Sequence, residues 1–233
     1  RYYVPLNKTY EVWNLILTNN SKQARSLNVT GYAEFTNNSN YEQDQVNLQY
    51  SQYITQTVFV ENRVRQMIHA NLDQIEEGKE VDNKDVVNRF LGLAGSKVSS
   101  WCGDREEFLG RYHGYGNPTG VETGELNNHG NYNENGCGAI TTTIELAPGE
   151  SRTIAFIVGK IDNKEAGKIV NLYADTKAVC DRELEELITY WHGQLSHFQI
   201  KTPSDEFNTM INTWNAYNCF MTFIWSRAAS FTY

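Results

Sequence analysis

The sequence predicts a β-rich chain, α+β overall, built as a large antiparallel β-sandwich followed by helices. Three observations carry that reading. Alternating apolar runs separated by turn residues recur through most of positions 1–161. The stretch "CGAITTTIELAPGESRTIAFIVGKI" holds two β-branched runs around a Pro-Gly turn. After Ile161 the apolar period changes to that of a helix.

Along the chain, "YEVWNLILTNNS" alternates through Val12, Leu15 and Leu17 and turns at Asn19-Asn20-Ser21. "SLNVTGYAEF" alternates through Leu27, Val29 and Tyr32. "QVNLQYSQYITQTVFV" reads as a long strand with a bulge or break, because Val46, Leu48 and Tyr50 share a parity that then shifts. Residues 73–89 are charged, lack aromatics and read as a solvated surface insertion. Residues 90–100 resume a strand. Residues 110–138, rich in Gly, Asn and Tyr, read as a long loop of the kind that carries function.

Residues 162–203 read as a helical linker, with Val179, Leu184, Leu187, Ile188, Trp191 and Leu195 at helical spacing and Asp175 or Thr176 as cap. A new helix starts after Pro203 with Ser204 or Asp205 as cap. It carries Met210, Trp214, Tyr217, Met221, Ile224, Ala228 and Phe231 on one face, with Ile211, Phe220, Phe223, Trp225 and Tyr233 on other sides. A helix so apolar is expected to be buried nearly all round, in a polypeptide that continues past Tyr233. The division is therefore 1–161 sandwich, 162–203 linker and 204–233 a further helix.

Composition narrows the function. The 233 residues carry a net charge of -8, which disfavours nucleic acid and anionic membrane as partners. No run of 18 apolar residues spans a bilayer, and the opening "RYYVPLNKTYEVW" is a strand pattern rather than a signal peptide. Cys102, Cys137, Cys180 and Cys219 show no CxxC spacing, so neither zinc nor a disulfide framework is indicated; free thiols point to a reducing cytoplasm. The sequons at Asn7, Asn19, Asn28 and Asn37 read as chance in an Asn-rich chain.

Chemistry-bearing patterns are sparse. There is no phosphate-binding loop, no dinucleotide loop and no HExxH, and His192 and His197 are five apart, a poor helical metal pair. "CGDREEFLGRYHGYGNP" offers Asp104, Glu106 and Glu107, the residue type for acid–base work on glycosides. On a strand, neighbours point to opposite faces, so a local Asp104–Arg105 pairing or a solvated turn is the expectation. Cys137 and Cys219 lack a specific base and read as small buried residues.

Three segments in order, "DREEFLGRYHGYGNP", "GCGAITTTIELAPGESRTIAFIVG" and "INTWNAYNCFMTFIWSRAASF", resemble the disaccharide phosphorylases of glycoside hydrolase family 94, formerly glycosyltransferase family 36. The resemblance covers most of the chain; the charged stretch 73–89 has no counterpart. It implies the later part of an N-terminal sandwich lacking its first strands, a helical linker and the first helix of an (α/α)6 barrel. It also implies reversible phosphorolysis of a β-linked disaccharide, cellobiose or chitobiose type, with inversion. Inorganic phosphate is co-substrate, no cofactor is needed, and the catalytic acid lies beyond Tyr233. By the same resemblance Arg227, in "WSRAASF", lies near the sugar and phosphate sites, for phosphate recognition or as a structural ion pair at a helix end. In family dimers a sandwich loop reaches the partner's active site; aligned to "NYEQDQVNLQYS", it places Gln43 and Gln45 at substrate. Val46 stands where cellobiose phosphorylases carry a sugar-contacting Arg. The implied partners are a disaccharide, phosphate and a second copy of the chain. The competing readings are a non-catalytic carbohydrate-binding β-sandwich, with Tyr-rich loops over 110–138, and a purely structural interaction domain.

Overall fold

The Pro148-Gly149 turn forms as its residues dictate. Gly149 takes φ +74 and the Glu150 amide reaches the Ala147 carbonyl at 3.0 Å, closing the turn between β8 (Gly136–Leu146) and β9 (Ser151–Ile161). The computed structural model describes residues 1–35, 46, 48–68, 88–161 and 163–226. Before the turn come β1 (Tyr2–Tyr3), β2 (Tyr10–Thr18), β3 (Arg25–Glu34), β4 (Thr55–Val60), β5 (Arg63–Ile68), β6 (Asn88–Ala94) and β7 (Ser100–Asp104). The two strands it joins go to different sheets. The six-stranded sheet has the order β1-β2-β9-β6-β5-β4 and the three-stranded sheet the order β3-β8-β7. Every pairing between these strands is antiparallel. The expected antiparallel sandwich is present.

Strand alternation explains the core. Leu91 and Leu93 on β6, Ile154 and Phe156 on β9 and Val64 on β5 face Ile140, Ile144 and Leu146 on β8 between the sheets. The sheets approach closely at Gly31, where a Cβ would lie 2.4 Å from the Phe156 ring. The outer face of the large sheet is covered by helix α4 (Asn163–Leu172), which buries Ala166, Ile169 and Val170. A Cβ on Gly92 of β6 would lie 2.5 Å from Val170. The outer face of the small sheet carries a second cluster: Cys102, Cys137 and Ala139 from the strands, and Phe108, Leu109 and Leu126 from the cover. That cover includes α2 (Arg105–Leu109) and α3 (Thr119–Glu122).

The side on which β4 and β7 form the sheet edges is stitched by residues 128–132. The Thr57 amide donates to the Asn131 carbonyl (2.9 Å) and the Gly103 amide to the His129 carbonyl (2.8 Å). The Asn131 amide donates to Thr57 Oγ1 at 2.6 Å. One segment thus hydrogen-bonds to an edge strand of each sheet.

Several sequence expectations need correction. The expected long strand over 45–60 is instead a short helix, α1 (Leu48–Tyr53), followed by β4. Val46 is 87% exposed and Leu48 46%, so these apolar residues have no sheet face to bury. The strand expected over 90–100 is β6, which ends at Ala94, and β7, which begins at Ser100. Most of the charged stretch 73–89 lies outside the described residues. Its last residue, Arg89, is buried in β6, in register with Gln66 and Lys160. The loop over 110–138 includes α3 and the first residues of β8.

The described residues fall into two compact units, Arg1–Asp181 and Arg182–Tyr233. Helix α5 (Thr176–Leu195) starts in the first, with Asp175 Oδ1 accepting from the Ala178 amide at 3.2 Å. In the second unit, Ser204 caps a helical run over 205–226 (α6) by accepting from the Phe207 amide. This run is α-helical at Asp205–Thr209 and Ala216–Met221, and π-helical at Met210–Asn215 and Thr222–Ser226. Asn212 takes the Ile200 amide (2.8 Å) and gives to its carbonyl (2.9 Å). Asn208 does the same for Thr202. Two side chains thereby mimic a strand for the extended stretch before the helix. Within this chain the described part of α6 keeps much of its apolar surface exposed. Trp214, Phe223 and Met210 are each more than half exposed, and Cys219 is exposed rather than buried.

Candidate functional site

The motif "DREEFLGRYHGYGNP" turns the chain at one end of the sandwich. There β3 and β7 finish at Glu34 and Asp104, and β4 and β8 begin at Thr55 and Gly136. Asp104 is not paired with Arg105. Its Oδ1 caps α2 by accepting from the Glu107 amide (3.0 Å), and its Oδ2 accepts from Asn131 Nδ2 (3.0 Å). A buried carboxylate with both oxygens engaged is a fixed anchor rather than a mobile acid or base. The spacing Asp104-x-x-Glu107 is the capping-box signature, so α2 had a signal in the sequence that alternation obscured.

Two carboxylates flank this anchor at the surface. Glu107 accepts from His129 Nδ1 (3.0 Å) and from Asn127 Nδ2. Glu34 accepts from the Tyr32 hydroxyl (2.9 Å) and from the Tyr115 hydroxyl. Tyr32 also stacks on Phe108, ring centres 4.4 Å apart, which joins the surface group to the buried cluster. Burial, then the Glu34 hydrogen bond, pushes the Tyr32 phenol above its ordinary value. The same hydrogen bond raises Tyr115. Both phenols therefore stay protonated donors at neutral pH. The hydrogen bond to Glu106 raises the Arg105 guanidinium further, with Glu34 adding to the effect. Tyr112, with φ +63, stands fully exposed nearby in the sequence.

Cys137 is an unsuitable nucleophile. It is fully buried, and its hydrogen bond with Cys102, followed by burial, pushes its thiol up. Among the described residues, no group of three His, Cys, Asp or Glu is gathered to hold a metal ion, and no helix is long and apolar enough to cross a membrane. The sequon residue Asn19 has its Nδ2 committed to the Gln23, Leu146 and Ala147 carbonyls. What the end of the sandwich offers is recognition chemistry: phenols, carboxylates and an arginine on a rigid base. Gln43, Gln45 and Arg227 lie outside the described residues. Phe35, the last described residue before the two glutamines, follows β3 at this same end.

The glycosyl hydrolase 94 supersandwich domain matches residues 1–176, and the glycosyl hydrolase 94 superfamily catalytic domain matches residues 190–233. The chain belongs to glycoside hydrolase family 94. Among its curated family 94 relatives, the N,N'-diacetylchitobiose phosphorylase of Vibrio proteolyticus is 29% identical over 230 residues, covering 98% of this chain and 27% of the relative. The enzyme of the same name from Vibrio furnissii is 29% identical over 229 residues, with the same coverage of both chains. The 3-O-beta-D-glucopyranosyl-beta-D-glucuronide phosphorylase of Paenibacillus borealis is 26% identical over 214 residues, 91% of this chain and 26% of the relative. The chain thus spans about a quarter of the length of these family 94 relatives.

Proposed function

We propose that this chain is the N-terminal portion of an inverting phosphorylase. With inorganic phosphate, the whole enzyme cleaves a β-linked disaccharide to an α-sugar 1-phosphate and a free sugar. The observation that carries this reading is the succession of two domains of one family along a single chain. Relatives named as phosphorylases, matched over 91–98% of the chain, support it further. In this reading residues 1–161 are the sandwich, 162–203 the linker and 204–233 the opening barrel helix. The exposed apolar side chains of α6 suit a helix that packs in a barrel.

The chemistry follows from the reaction. Phosphate oxygen attacks the anomeric carbon as the glycosidic bond breaks, and a carboxylic acid beyond Tyr233 protonates the leaving oxygen. No cofactor takes part. Arg227 serves phosphate or sugar recognition, for which a guanidinium fork is suited. Gln43 and Gln45 contact sugar across a homodimer, in a loop anchored by the polar end of the sandwich described above. Two relatives named for N,N'-diacetylchitobiose favour that substrate class over cellobiose, as does Val46 at the position of the cellobiose-type Arg. Four free cysteines suit a cytoplasmic enzyme.

The test is release of sugar 1-phosphate by the full-length protein from chitobiose or cellobiose plus phosphate, with the 233-residue chain as control. Release by the full-length protein alone supports the reading. Cleavage to free sugars without phosphate, with no sugar 1-phosphate formed, overturns it. Arg227→Ala is expected to lower kcat/KM by about 100-fold, and Gln43→Ala or Gln45→Ala to raise KM with little change in kcat.

A further inference from the structure

At the far end of β4 from the loops just described lies a groove of about 570 Å³ that none of this chemistry uses. It opens beside the turn after β4, and Asn128 on its rim neighbours Asn127 and His129, which hold Glu107. Its volume falls in the small-ligand range. The floor is aromatic: Phe59 of β4 and Trp101 of β7 stack across the gap between the two edge strands, ring centres 5.2 Å apart and 15° from parallel. Both rings are half-buried.

The rim is polar and incompletely satisfied. Asn62 spends Nδ2 on the Leu93 carbonyl, which leaves Oδ1 as an acceptor. Asn128 spends Oδ1 on the Trp101 amide, which leaves Nδ2 as a donor. Glu61 uses one carboxylate oxygen on Arg63, and the exposed Lys97 ammonium has no ion-pair partner among the described residues. Arg63 neutralises Glu61, so Lys97 is left as the uncompensated charge of the rim among the described residues. Glu61 and Asn128 hold left-handed backbone, φ 58 and φ 56. At Glu61 the conformation belongs to the two-residue turn with Asn62 that joins β4 to β5, where Val60 pairs with Arg63.

The geometry points to a second saccharide-binding site, separate from the catalytic one, that takes a β-linked oligosaccharide. A gluco-configured pyranose has flat C–H faces and a rim of equatorial hydroxyls, each both donor and acceptor. The groove supplies the complement: an aromatic floor within a ring of one carboxylate, two half-used amides and one ammonium. The choice of β-linked sugars rests on the phosphorylase reading; the chemistry of the groove does not.

The experiment is calorimetric titration of the full-length protein, without phosphate, using cellotetraose and N-acetylchitotetraose, with maltotetraose as the α-linked control. Two binding events per chain are expected with a β-linked sugar. Trp101→Ala removes one, weakening it at least about tenfold, and Lys97→Ala at its exposed position weakens the same event about threefold. Disaccharide phosphorolysis by Lys97→Ala stays within about twofold of the parent. Absence of any binding event weakened by Lys97→Ala overturns the proposal, and so does equal binding of maltotetraose. Failure of the phosphorylase reading looks different: no sugar 1-phosphate from the parent protein, with one binding event still sensitive to Lys97→Ala.

Discussion

Aromatic side chains do opposite work in the two units. In the sandwich, Phe90, Phe156 and Tyr173 are wholly buried; in the C-terminal helical unit, Phe207, Trp214 and Phe223 stand more than half exposed. The difference is one of geometry. Two sheets with alternating faces close a core between themselves, as β6 and β9 do against β8. A helix with apolar residues on several sides needs neighbours on several sides. In the second unit the described ring contacts, Tyr190–Trp191, Trp191–Phe220 and Trp214–Tyr217, are all edge-on. Burial, not composition, decides which aromatics hold the fold.

That contrast can be broken by measurement. Phe156→Ala, beneath Gly31, is expected to cost about 3–5 kcal/mol by urea denaturation of the 233-residue chain; a loss below about 1 kcal/mol would mean that the two sheets do not share this core. Next in size, Asp104→Ala removes a helix cap and leaves Asn131 without its acceptor, at about 2 kcal/mol. Hydrogen exchange should then quicken at Glu107 before the rest of the sandwich. Trp214→Ala should change stability by about 0.5 kcal/mol or less in the same chain. The same substitution in the full-length protein, if it costs several times more, shows that further chain covers the helix.

The smallest effect sharpens the sandwich side alone. The Ala147 amide, and then Arg152, hold the Glu150 carboxyl below its ordinary value. A depressed carboxyl contributes stability that is complete above its unfolded value of about 4.3 and disappears as pH falls through the folded one. Parent and Glu150→Gln should therefore differ in Tm at pH 6 and converge in acid. A gap that persists at low pH would assign the difference to something other than this charge.

Much of the fold was legible because its signals are local. Pro148-Gly149 is a turn in any context, and Ser204 and Asp175 cap helices within a few residues of their own position. The stretch 46–53 misled because Val46, Leu48 and Tyr50 alternate like a strand while Val46 and Leu48 stay exposed; only the tertiary environment decides between strand and helix there. The polar end of the sandwich was half legible. The motif residues stood out, but Tyr32, Glu34 and Tyr115 meet across 81 residues of chain. Phe59 and Trp101 are 42 positions apart on different sheets, and nothing in either local pattern says that they stack.

The stitch at residues 128–132 has a mechanical consequence. Sheets in an open sandwich can slide on their apolar contact, because dispersion forces resist shear weakly and without direction. Here the Thr57, Asn131, Gly103 and His129 bonds cross from one edge strand to the other through a single segment. Sliding would stretch them together rather than one at a time. The sandwich is thus hinged shut on the β4–β7 side, and a force arriving through the loops at one end reaches both sheets as a single rigid body.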